Sequence, residues 1–333
     1  MSCAPRHPFP LYIEKVIRSV KYYFIVNPHS GKKDISAEIQ RLVDCYFAEN
    51  DPEAAYEVVV TQEAESKLHT VRGICEAAQG RPLRICACGG DGTLNGVASG
   101  VVGFENVEIG FYSAGSGNDF VKCFGSPEDY QSIESFVRGE SVPVDIVAIN
   151  GDYCLNLFSV GVDANVNYGI GKYRRLPFCG GSAAYNLSLL ENLMRPMGKH
   201  LRITIDGAVH DGKFMLAAFG NGRVYGGGYY ALPEARWDDG LLDIVLIDKI
   251  SLTKVAGALG TYKKGEHMCN GEVIEKMRGF LHFYRGKHIT IDSKKKFVLN
   301  NDGESTITNH VEAVIQSPGI RFICPKSSTL YKK

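Results

Sequence analysis

Between residues 22 and 143, short apolar runs alternate with segments in which apolar residues recur at helical spacing. The run Tyr-Tyr-Phe-Ile-Val at 22–26 predicts a buried strand, and residues 35–47 place their apolar side chains near one face of a helix. The remaining predicted elements of this part are strands at 58–60, 83–88 and 107–112 and a helix at 68–78. Alternation of this kind is typical of an α/β domain with a parallel sheet covered by helices.

The pattern changes after residue 144, where turn signals separate strand-like runs. The pair Asn150-Gly151 lies between two such runs and predicts a hairpin, and so does the pair Asp206-Gly207. The other predicted elements are strands at 241–247, 282–291 and 297–299 and helices at 183–194 and 252–262. The second half is therefore expected to be mainly antiparallel sheet, arranged as a β-sandwich.

The length of the chain indicates two domains. It has 333 residues, 44% of them hydrophobic, which is more than a single core usually contains. We expect an α/β domain at 20–144 and a β-sandwich domain at 145–325. The alternative for the last segment is that it returns to the first domain.

Charge and cysteine usage limit the class of protein. Lys+Arg and Asp+Glu balance at 37 each, so no overall field draws the chain to nucleic acid. The ten cysteines are scattered singly, without a Cys-x-x-Cys pair, as expected of reduced thiols in a cytosolic protein. Residues 1–20 lack the apolar stretch of a signal peptide, and no run approaches the roughly 20 apolar residues of a membrane span. A lipid ligand would have to be reached from the aqueous side.

The most informative segment is Cys-Gly-Gly-Asp-Gly-Thr-Leu-Asn at 88–95, where a buried strand leads through glycines into a helix. Glycines let the backbone approach a ligand closely, so that successive N–H groups converge on phosphate oxygens. The helix N-terminus favours the same anion. Asp91 is placed to orient a metal-bound water or a hydroxyl. The alternative is a tight turn in which Asp91 only caps the helix.

Two further loops follow neighbouring predicted strands. Ala-Gly-Ser-Gly-Asn-Asp-Phe at 114–120 places a hydroxyl between two glycines, and Asn-Pro-His-Ser-Gly at 27–31 ends the first strand. In a parallel sheet, loops at the carboxyl ends of strands face one crevice, where ligands bind. Val26, Phe120 and Asn95 stand where a P-loop or a dinucleotide fingerprint needs glycine. We therefore predict a phosphate-binding α/β domain of another kind.

The second half holds two acidic candidate sites. Asp238 and Asp239 precede a predicted strand, and a carboxylate with backbone carbonyls is a donor set that Mg²⁺ favours. The alternative there is ordinary Asp-Gly turn chemistry. Glu304 follows the turn Asp302-Gly303 and has the position of a general base, the alternative being a solvated surface carboxylate.

Taken in order, these loops resemble those of the bacterial soluble diacylglycerol kinase and lipid kinase family. The matching segments are Asn-Pro-His-Ser-Gly at 27–31, Gly-Gly-Asp-Gly-Thr at 89–93, Gly-Ser-Gly-Asn-Asp at 115–119, residues 233–241, and Asp-Gly-Glu at 302–304. Gly-Glu-His at 265–267, followed by Ile-Glu-Lys at 274–276, is similar to the branch nearest diacylglycerol kinase. The resemblance extends from 22 to 325 and implies an ATP-binding α/β domain joined to a β-sandwich, with ATP in the cleft between them.

The resemblance also implies roles for individual residues. Glu304 corresponds to the proton acceptor, and Asp91 and Asp238 correspond to acids that organise catalytic Mg²⁺ through water. The residues implied to contact ATP are Asn27, Thr61, Gly89, Gly90, Asp91, Gly92, Thr93, Leu94, Asn95 and Ser116.

A structural Mg²⁺ site is implied at Asp239, with the backbone carbonyls of Arg236 and Leu241. The sequence also departs from the family pattern. Gly96 stands where an acid is usual, which bears on the reaction rate rather than on the fold. The milder departures are Ser116 for Thr, Ser113 for Pro and Lys122 for Arg.

The implied activity is ATP- and Mg²⁺-dependent transfer of the γ-phosphoryl group to a lipid hydroxyl, with diacylglycerol as the first expected acceptor. A sphingoid base or another glycerolipid offers a similar hydroxyl. NAD kinases and phosphofructokinases share the Gly-Gly-Asp-Gly loop, and a non-catalytic nucleotide or lipid sensor would keep the fold. Intact Asp91, Asp238 and Glu304 favour an enzyme.

The expected partner is a lipid substrate at a membrane surface, without nucleic acid or a transmembrane segment, and a homodimer is compatible with the sequence. We expect a cytoplasmic protein with peripheral membrane association. Basic clusters at 172–175 and 294–296 are candidates to meet anionic headgroups, with a solvated face as the alternative. Residues 169–181 are a candidate loop at the lipid entrance.

Overall fold

The computed structural model describes residues 20–31, 33–62, 64–174, 187–188, 191–192, 198–226 and 228–328. The N-terminal segment, predicted not to be a signal peptide, lies outside these residues. So does nearly all of the helix predicted at 183–194. No helix among the described residues is both long and apolar enough to cross a bilayer.

Six α-helices and fifteen strands are placed among the described residues. The helices are α1 (Ser36–Asn50), α2 (Ala64–Ala77), α3 (Asp91–Val101), α4 (Ile133–Val137), α5 (Val162–Arg174) and α6 (Leu252–Lys264). The strands of the first half are β1 (Lys21–Val26), β2 (Tyr56–Val60), β3 (Leu83–Gly89), β4 (Val107–Ser113), β5 (Glu140–Ile149), β6 (Asp152–Cys154) and β7 (Leu157–Gly161). Those of the second half are β8 (Lys199–Ile205), β9 (Ala208–Gly220), β10 (Leu242–Asp248), β11 (Met268–Cys269), β12 (Glu272–Val273), β13 (Leu281–Gly286), β14 (His288–Asn301) and β15 (Glu304–Cys324). Short 3₁₀ helices span Phe120–Cys123 and Pro127–Tyr130.

The first four strands pair in parallel, in the order β2-β1-β3-β4. The apolar runs at 22–26 and 83–88 become the central strands of this group, where Phe24, Ile25 and Cys86 are completely buried. Because these strands run the same way, the three glycine-containing loops leave the sheet at one edge.

The strands of both halves belong to one continuous sheet, which differs from the expected separate parallel sheet and β-sandwich. Among the described residues, thirteen strands form this sheet, and most of its pairings are antiparallel. The parallel arrangement is therefore limited to β2-β1-β3-β4 and to one contact, Phe322 of β15 beside Ile109 of β4. The long strand β15 connects the halves because it also pairs antiparallel with β5 and β14. The coarser expectation, an α/β first half and a β-rich second half, is confirmed.

Two elements differ from the sequence prediction. Strands predicted at 282–291 and 297–299 are instead β13 and a long β14, which continues through the charged residues 292–296 with a register shift between Asp292 and Phe297. Residues 169–174 of the predicted lipid-entrance loop are the last turns of α5, and the rest of that loop lies outside the described residues. Gly169 and Gly171 lower the helix propensity of this segment, which forms the C-terminal end of a helix that packs against β7 and β14.

The apolar core of the first half includes residues from the second. Phe322 of β15 lies within 5.2 Å of Phe124, measured between ring centroids, and Trp237 lies 4.5 Å from the same ring. Cys86 and Cys88 are buried in β3, as expected of thiols that pack as small apolar groups. The two halves therefore share buried surface around Phe124.

Candidate active site

The first glycine loop passes directly from a buried strand into a helix. β3 ends at Gly89, Gly90 precedes the helix in an extended conformation, and α3 begins at Asp91. A side chain at Gly89 would overlap the hydroxyl of Thr93, so this position has room only for glycine. The carbonyl of Gly90 accepts hydrogen bonds from the backbone N–H groups of Thr93 and Leu94, at 2.9 and 3.0 Å. These bonds begin the helical pattern of α3, so the N-terminus of α3 follows the loop directly, as in helix-terminal phosphate sites.

The loop after β1 is tied to this one through hydroxyl and amide groups. The Asn27 side chain donates to the Thr93 hydroxyl at 3.2 Å, and the Ser30 hydroxyl lies 3.5 Å from the same oxygen. Thr61 is buried, and both its backbone N–H and its hydroxyl donate to the carbonyl of Val26. Asn27, Thr61 and Thr93 thus lie at one edge of the sheet.

The second glycine loop packs backbone to backbone against the first. The N–H groups of Ala114 and Gly115 donate to the carbonyl of Gly89, at 2.8 and 3.0 Å. A side chain at Gly115 would overlap the Cα of Gly90. Ser116, at the tip of this loop, is exposed.

Asp91 links the two loops through its carboxylate. One oxygen accepts the backbone N–H of Asp119 at 2.6 Å and that of Phe120 at 3.4 Å. Burial, together with the neighbouring carboxylates of Asp119 and Asp302, raises the pKa of Asp91 to about 6, even though these hydrogen bonds lower it. Asp91 therefore caps the start of the 3₁₀ helix at Phe120–Cys123. Its carboxylate lies near two other carboxylates, those of Asp119 and Asp302.

The turn that carries Glu304 is held firmly from beneath. Asp302 and Gly303 have positive φ values of 46° and 93°, as a two-residue hairpin turn requires. The buried carboxylate of Asp302 accepts the backbone N–H groups of Leu155, Asn156 and Leu157 at 2.6–3.2 Å. Glu304 itself is exposed at the start of β15.

The side chain of Asn167 supports the same turn. Asn167, on α5, donates to the carbonyl of Gly303 at 2.6 Å and to the Ser305 hydroxyl at 3.0 Å. These contacts anchor both sides of Glu304 to a helix.

The backbone carbonyl of Tyr153 brings the glycine loop and the Glu304 turn together. It accepts from Asn95 of α3 at 3.4 Å and from Asn301, next to the turn, at 3.1 Å. The carboxylate of Asp302 also lies close enough to raise the pKa of Asp91. The structure therefore gathers the two glycine loops, Asn27, Asp91 and the Glu304 turn into one cleft.

The acidic turn at 233–241 lies beside this cleft but has its own partners. Asp238 forms an ion pair with Arg236 at 3.3 Å, and Asp239 accepts the N–H of Leu241 at 3.1 Å. The buried Asp145 accepts the N–H of Gly240 at 2.7 Å. The carboxylates of Asp238 and Asp239 act on Asp145, whereas those that act on Asp91 are Asp119 and Asp302. The structure thus places Asp238 with Arg236 rather than against Asp91.

The residues of this turn offer the oxygen ligands that a hard cation prefers. Asp239 with the backbone carbonyls of Arg236 and Leu241 is an all-oxygen set, which Mg²⁺ completes with waters. Among the described residues, no three or more His, Cys, Asp or Glu side chains converge on a metal-sized site. A magnesium ion at Asp239 would therefore rely on backbone carbonyls and water for most of its ligands.

Sequence reasoning missed an apolar pocket at the start of α5. Its volume is about 60 Å³, and its lining includes Asp163 on α5, Leu216 on β9, and Ala258 and Tyr262 on α6. Burial raises the pKa of Asp163 to about 6. The pocket walls come from elements far apart in sequence, so a local pattern does not reveal them.

Comparison with known proteins finds relatives of both halves of the chain. Residues 21–149 match a family described as the diacylglycerol kinase catalytic domain, and residues 156–323 match the YegS C-terminal NAD kinase beta sandwich-like domain. A diacylglycerol kinase of Staphylococcus carnosus (strain TM300) is 28% identical over 283 residues, covering 84% of this chain and 87% of that protein. The diacylglycerol kinase of Staphylococcus aureus (strain Newman) is 29% identical over 286 residues, covering 84% of each chain.

Solved structures share the fold. A crystal structure of a diacylglycerol kinase from Bacillus anthracis str. Sterne has a TM-score of 0.66 at 20% identity, over 91% of this chain and 96% of that one. A second crystal structure from the same organism has a TM-score of 0.68 at 21% identity, with the same coverage. The two matched domains together span nearly the whole described chain. The chain therefore belongs to the diacylglycerol kinase family of lipid kinases.

Proposed function

We propose that this chain transfers the γ-phosphoryl group of ATP to the hydroxyl of diacylglycerol, giving phosphatidic acid and ADP. The observation that carries the proposal is the Tyr153 carbonyl, which bonds Asn95 behind the glycine loop and Asn301 beside the Glu304 turn. It supports the proposal because it connects the helix that follows the glycine loop with the turn that carries Glu304. The names of the curated relatives support diacylglycerol as the acceptor.

The triphosphate is proposed to lie on the two glycine loops. Gly89, Gly90 and Gly92 leave room for close approach, and α3 adds its N-terminal N–H groups and dipole. Leu94 and Asn95 in the first turns of α3 are proposed to contact ATP as well. Asn27, Thr61 and Ser116 are proposed to contact it from the neighbouring loops.

Glu304 is proposed as the general base. The lipid oxygen forms its bond to the γ-phosphorus as the bond to the β-phosphate oxygen breaks, and ADP leaves with that electron pair. The hydroxyl proton passes to the Glu304 carboxylate, a contribution of about 10²–10⁴ in rate. Because Glu304 is exposed at the cleft mouth, it is accessible to a lipid that arrives from outside.

Magnesium is proposed to be held with the help of three acids. Asp91 would orient its waters, and Asp239 with the carbonyls of Arg236 and Leu241 would hold a structural ion. Asp238 is proposed to help orient the waters as well, for which its side chain would have to leave its ion pair with Arg236. When bound, Mg²⁺ neutralises phosphate charge. The proposal is supported by the raised pKa of Asp91, because burial and nearby acids destabilise its carboxylate and a bound cation would offset this.

The apolar pocket is proposed to take part of an acyl chain. α5 joins the two sites, since Asp163 lines the pocket and Asn167, one turn later, holds the Glu304 turn. A chain seated in the pocket would therefore place its headgroup near the proton acceptor. The volume of about 60 Å³ holds roughly two water-sized groups, so a longer chain must widen it.

We further propose that residues 20–144 form the ATP-binding domain and residues 145–325 the lipid-kinase domain. The exposed Lys294, Lys295 and Lys296 support peripheral association with anionic membranes from the cytoplasm, since each basic residue near such a surface adds about 1 kcal/mol.

The test is transfer of label from γ-labelled ATP, with Mg²⁺, to a panel of acceptors. Diacylglycerol, monoacylglycerol and a sphingoid base in mixed micelles are compared with soluble NAD and fructose 6-phosphate. Label on diacylglycerol is the expected result. Label on another lipid would keep the mechanism and replace the acceptor, and label on NAD alone would refute the lipid assignment.

A further inference from the structure

His267 is a completely buried histidine in the segment Gly-Glu-His at 265–267, which follows α6. Its Nε2 atom lies 3.1 Å from the carbonyl oxygen of Ala231, which is also completely buried. Burial lowers the pKa of His267 to about 4, so the ring is neutral near pH 7 and carries a single proton. Because a carbonyl oxygen only accepts, this proton lies on Nε2, which donates to Ala231.

The ring of His267 is held mainly by packing. Within the part of the chain that the structure describes, its second nitrogen, Nδ1, is buried and has no hydrogen-bond partner. One face of the ring stacks on Tyr262 of α6, with the ring centroids 4.7 Å apart and the planes 29° from each other. The backbone carbonyl of His267 accepts the N–H of Ile274 at 3.1 Å, which closes the hairpin of β11 and β12. His267 is therefore fixed to α6 and this hairpin, and its ring reaches from them to Ala231.

Ala231 begins a mostly buried segment, residues 231–235, that leads into the acidic turn. Ala231, Leu232 and Ala235 are each at most 1% exposed, whereas the residues of the acidic turn are partly or fully exposed. The N–H of Ala235 donates to the carbonyl of Leu232 at 3.0 Å and closes a tight turn immediately before Arg236. Because this turn is short and packed, a displacement of Ala231 would also displace Arg236.

Two further hydrogen bonds join the same parts of the chain. The backbone N–H of Tyr230 donates to the carbonyl of Lys263 at 3.1 Å, and the backbone N–H of Gly271 donates to the carboxylate of Glu234 at 2.6 Å. The first bond involves the backbone alone, and the second lies at an exposed position. His267 contributes a buried side-chain donor, so its replacement removes one bond and leaves the backbone contacts in place.

We propose that His267 is a positioning residue for the cation at Asp239, because its bond to Ala231 sets the position of the Arg236 carbonyl. This rests on the proposed function, which places a structural Mg²⁺ at Asp239 with backbone carbonyls as further ligands. An ion held largely by backbone depends on a supporting shell that fixes this backbone before the ion binds. Without the donor, the buried carbonyl of Ala231 would lose its partner, and the segment would move to find water or another donor.

The test measures binding of Mn²⁺, which stands in for Mg²⁺ and is detected by electron paramagnetic resonance, to the nucleotide-free protein. His267→Phe keeps a flat ring against Tyr262 and removes the donor, whereas His267→Gln retains an Nε2 donor for Ala231. We expect His267→Phe to weaken Mn²⁺ binding about 5–10-fold, as for one lost neutral hydrogen bond, and His267→Gln to stay within about threefold of wild type. Asp239→Asn should weaken the same binding more strongly, which assigns it to the acidic turn.

Val273→Ala is the matched control for a purely structural role. Val273 is buried and pairs with Met268, next to His267, so its truncation loosens the hairpin without removing the bond to Ala231. It should lower the unfolding midpoint, as His267→Phe does, but leave the Mn²⁺ affinity within about twofold of wild type.

Four results would overturn the proposal. These are an unchanged Mn²⁺ affinity in His267→Phe, an equal loss in Val273→Ala, an equal loss in His267→Gln, and the absence of a wild-type Mn²⁺ site that Asp239→Asn weakens. The acceptor assignment is tested separately by the label-transfer assay. If wild type transfers no label to lipid but the Mn²⁺ affinities follow the expected order, the acceptor assignment fails and the role of His267 stands.

Discussion

Asp91 begins α3, and its carboxylate holds the backbone of the second glycine loop through Asp119 and Phe120. The same group lies in a buried acidic environment that raises its pKa to about 6. Its native-state pKa therefore exceeds the value of about 3.9 expected in the unfolded chain. The native protein binds this proton more tightly, so stability is lost as pH rises from about 4 to above 6.

Replacement of Asp91 by Asn should remove this pH dependence. Asn still accepts the N–H of Asp119 but does not ionise. The unfolding free energy of the variant minus that of wild type should therefore be about 1–3 kcal/mol more positive at pH 7.5 than at pH 4.5. Urea unfolding at both pH values measures the difference. Asp152→Asn, at an exposed turn, is the control and should show equal differences at the two pH values. If the stability of Asp91→Asn relative to wild type is lower at pH 7.5 than at pH 4.5, the raised pKa of Asp91 is contradicted.

Glu304→Gln should separate chemistry from folding. The variant keeps the shape of the side chain and loses the proton acceptor, so kcat should fall by about 10²–10⁴ while the KM for ATP is unchanged. Because Glu304 is exposed, the free energy of unfolding should change by less than about 0.5 kcal/mol. Glu140→Gln, an exposed glutamate of β5, is the control in the lipid assay. Near wild-type turnover by Glu304→Gln would exclude it as the base.

Individual site residues could be predicted from the sequence where they belong to a short motif. Glu304 and Asp91 stand in short runs with their own turn chemistry, so their candidacy follows from the sequence. The support beneath Glu304 was not predictable, because Asp302 bonds N–H groups at Leu155 and Leu157, far away along the chain.

At the scale of elements, the two glycine loops behave as one unit. Gly90 and Gly115 touch through their backbones, and a side chain on Gly115 would overlap a Cα atom that cannot yield as a flexible side chain does. The loops need both glycines for this approach, rather than for a positive φ.

Gly115→Ala should force the loops apart. We expect a loss of about 2–3 kcal/mol in unfolding free energy, typical of overpacking against rigid backbone, and weaker ATP binding in calorimetry. Gly73→Ala is the control with the opposite sign, since a side chain at this exposed position of α2 meets nothing within 4 Å. The helix should gain about 0.5–1 kcal/mol there. Unchanged stability and ATP affinity in Gly115→Ala would mean that the loops are not in contact.

Elements with a strong pattern were predicted well, and those with a weak one were not. The strand β3 and the helix α1 follow their apolar spacing closely. α5 carries two glycines and little helical pattern, and it forms because it packs between the sheet and the Glu304 turn. β14 continues through the polar residues 293–296, which lie outside its ladders with β8 and β15, because β15 pairs with β14 on both sides of them and β8 pairs with it before them.

At the scale of the whole molecule, α5 couples the apolar pocket to the cleft. Its first turn lines the pocket and its next turn holds Gly303. The proposed lipid and ATP sites are therefore mechanically connected but have different linings. A change in the pocket should alter lipid use without altering nucleotide binding.

Ala258→Phe tests this separation. A ring at Ala258 would fill the pocket, and exclusion of about two methylene groups of the lipid costs about 1.6 kcal/mol, or about tenfold in affinity. The KM for diacylglycerol in mixed micelles should rise by about that factor, and the KM for ATP should not change. Gly257→Ala, on the same helix with open space around it, is the control. An increase in the KM for ATP instead would remove the pocket from the lipid path.

The sequence by itself determined the local chemistry: the glycine loops, the acidic turns, the hairpin signals and the α/β first half. These depend on neighbouring residues, whose conformational preferences and spacing are readable along the chain. The family resemblance supplied the expected activity from the order of those loops.

Only the tertiary structure decided which of these groups meet. It joined the two halves through β15, placed Asp302 rather than Asp238 near Asp91 and built a pocket from α5, α6 and β9. The physical reason is that burial, electrostatic environment and cavity shape depend on residues distant in sequence. The pattern of residues along the chain indicates which face of a helix or strand is apolar, but not which other element packs against that face.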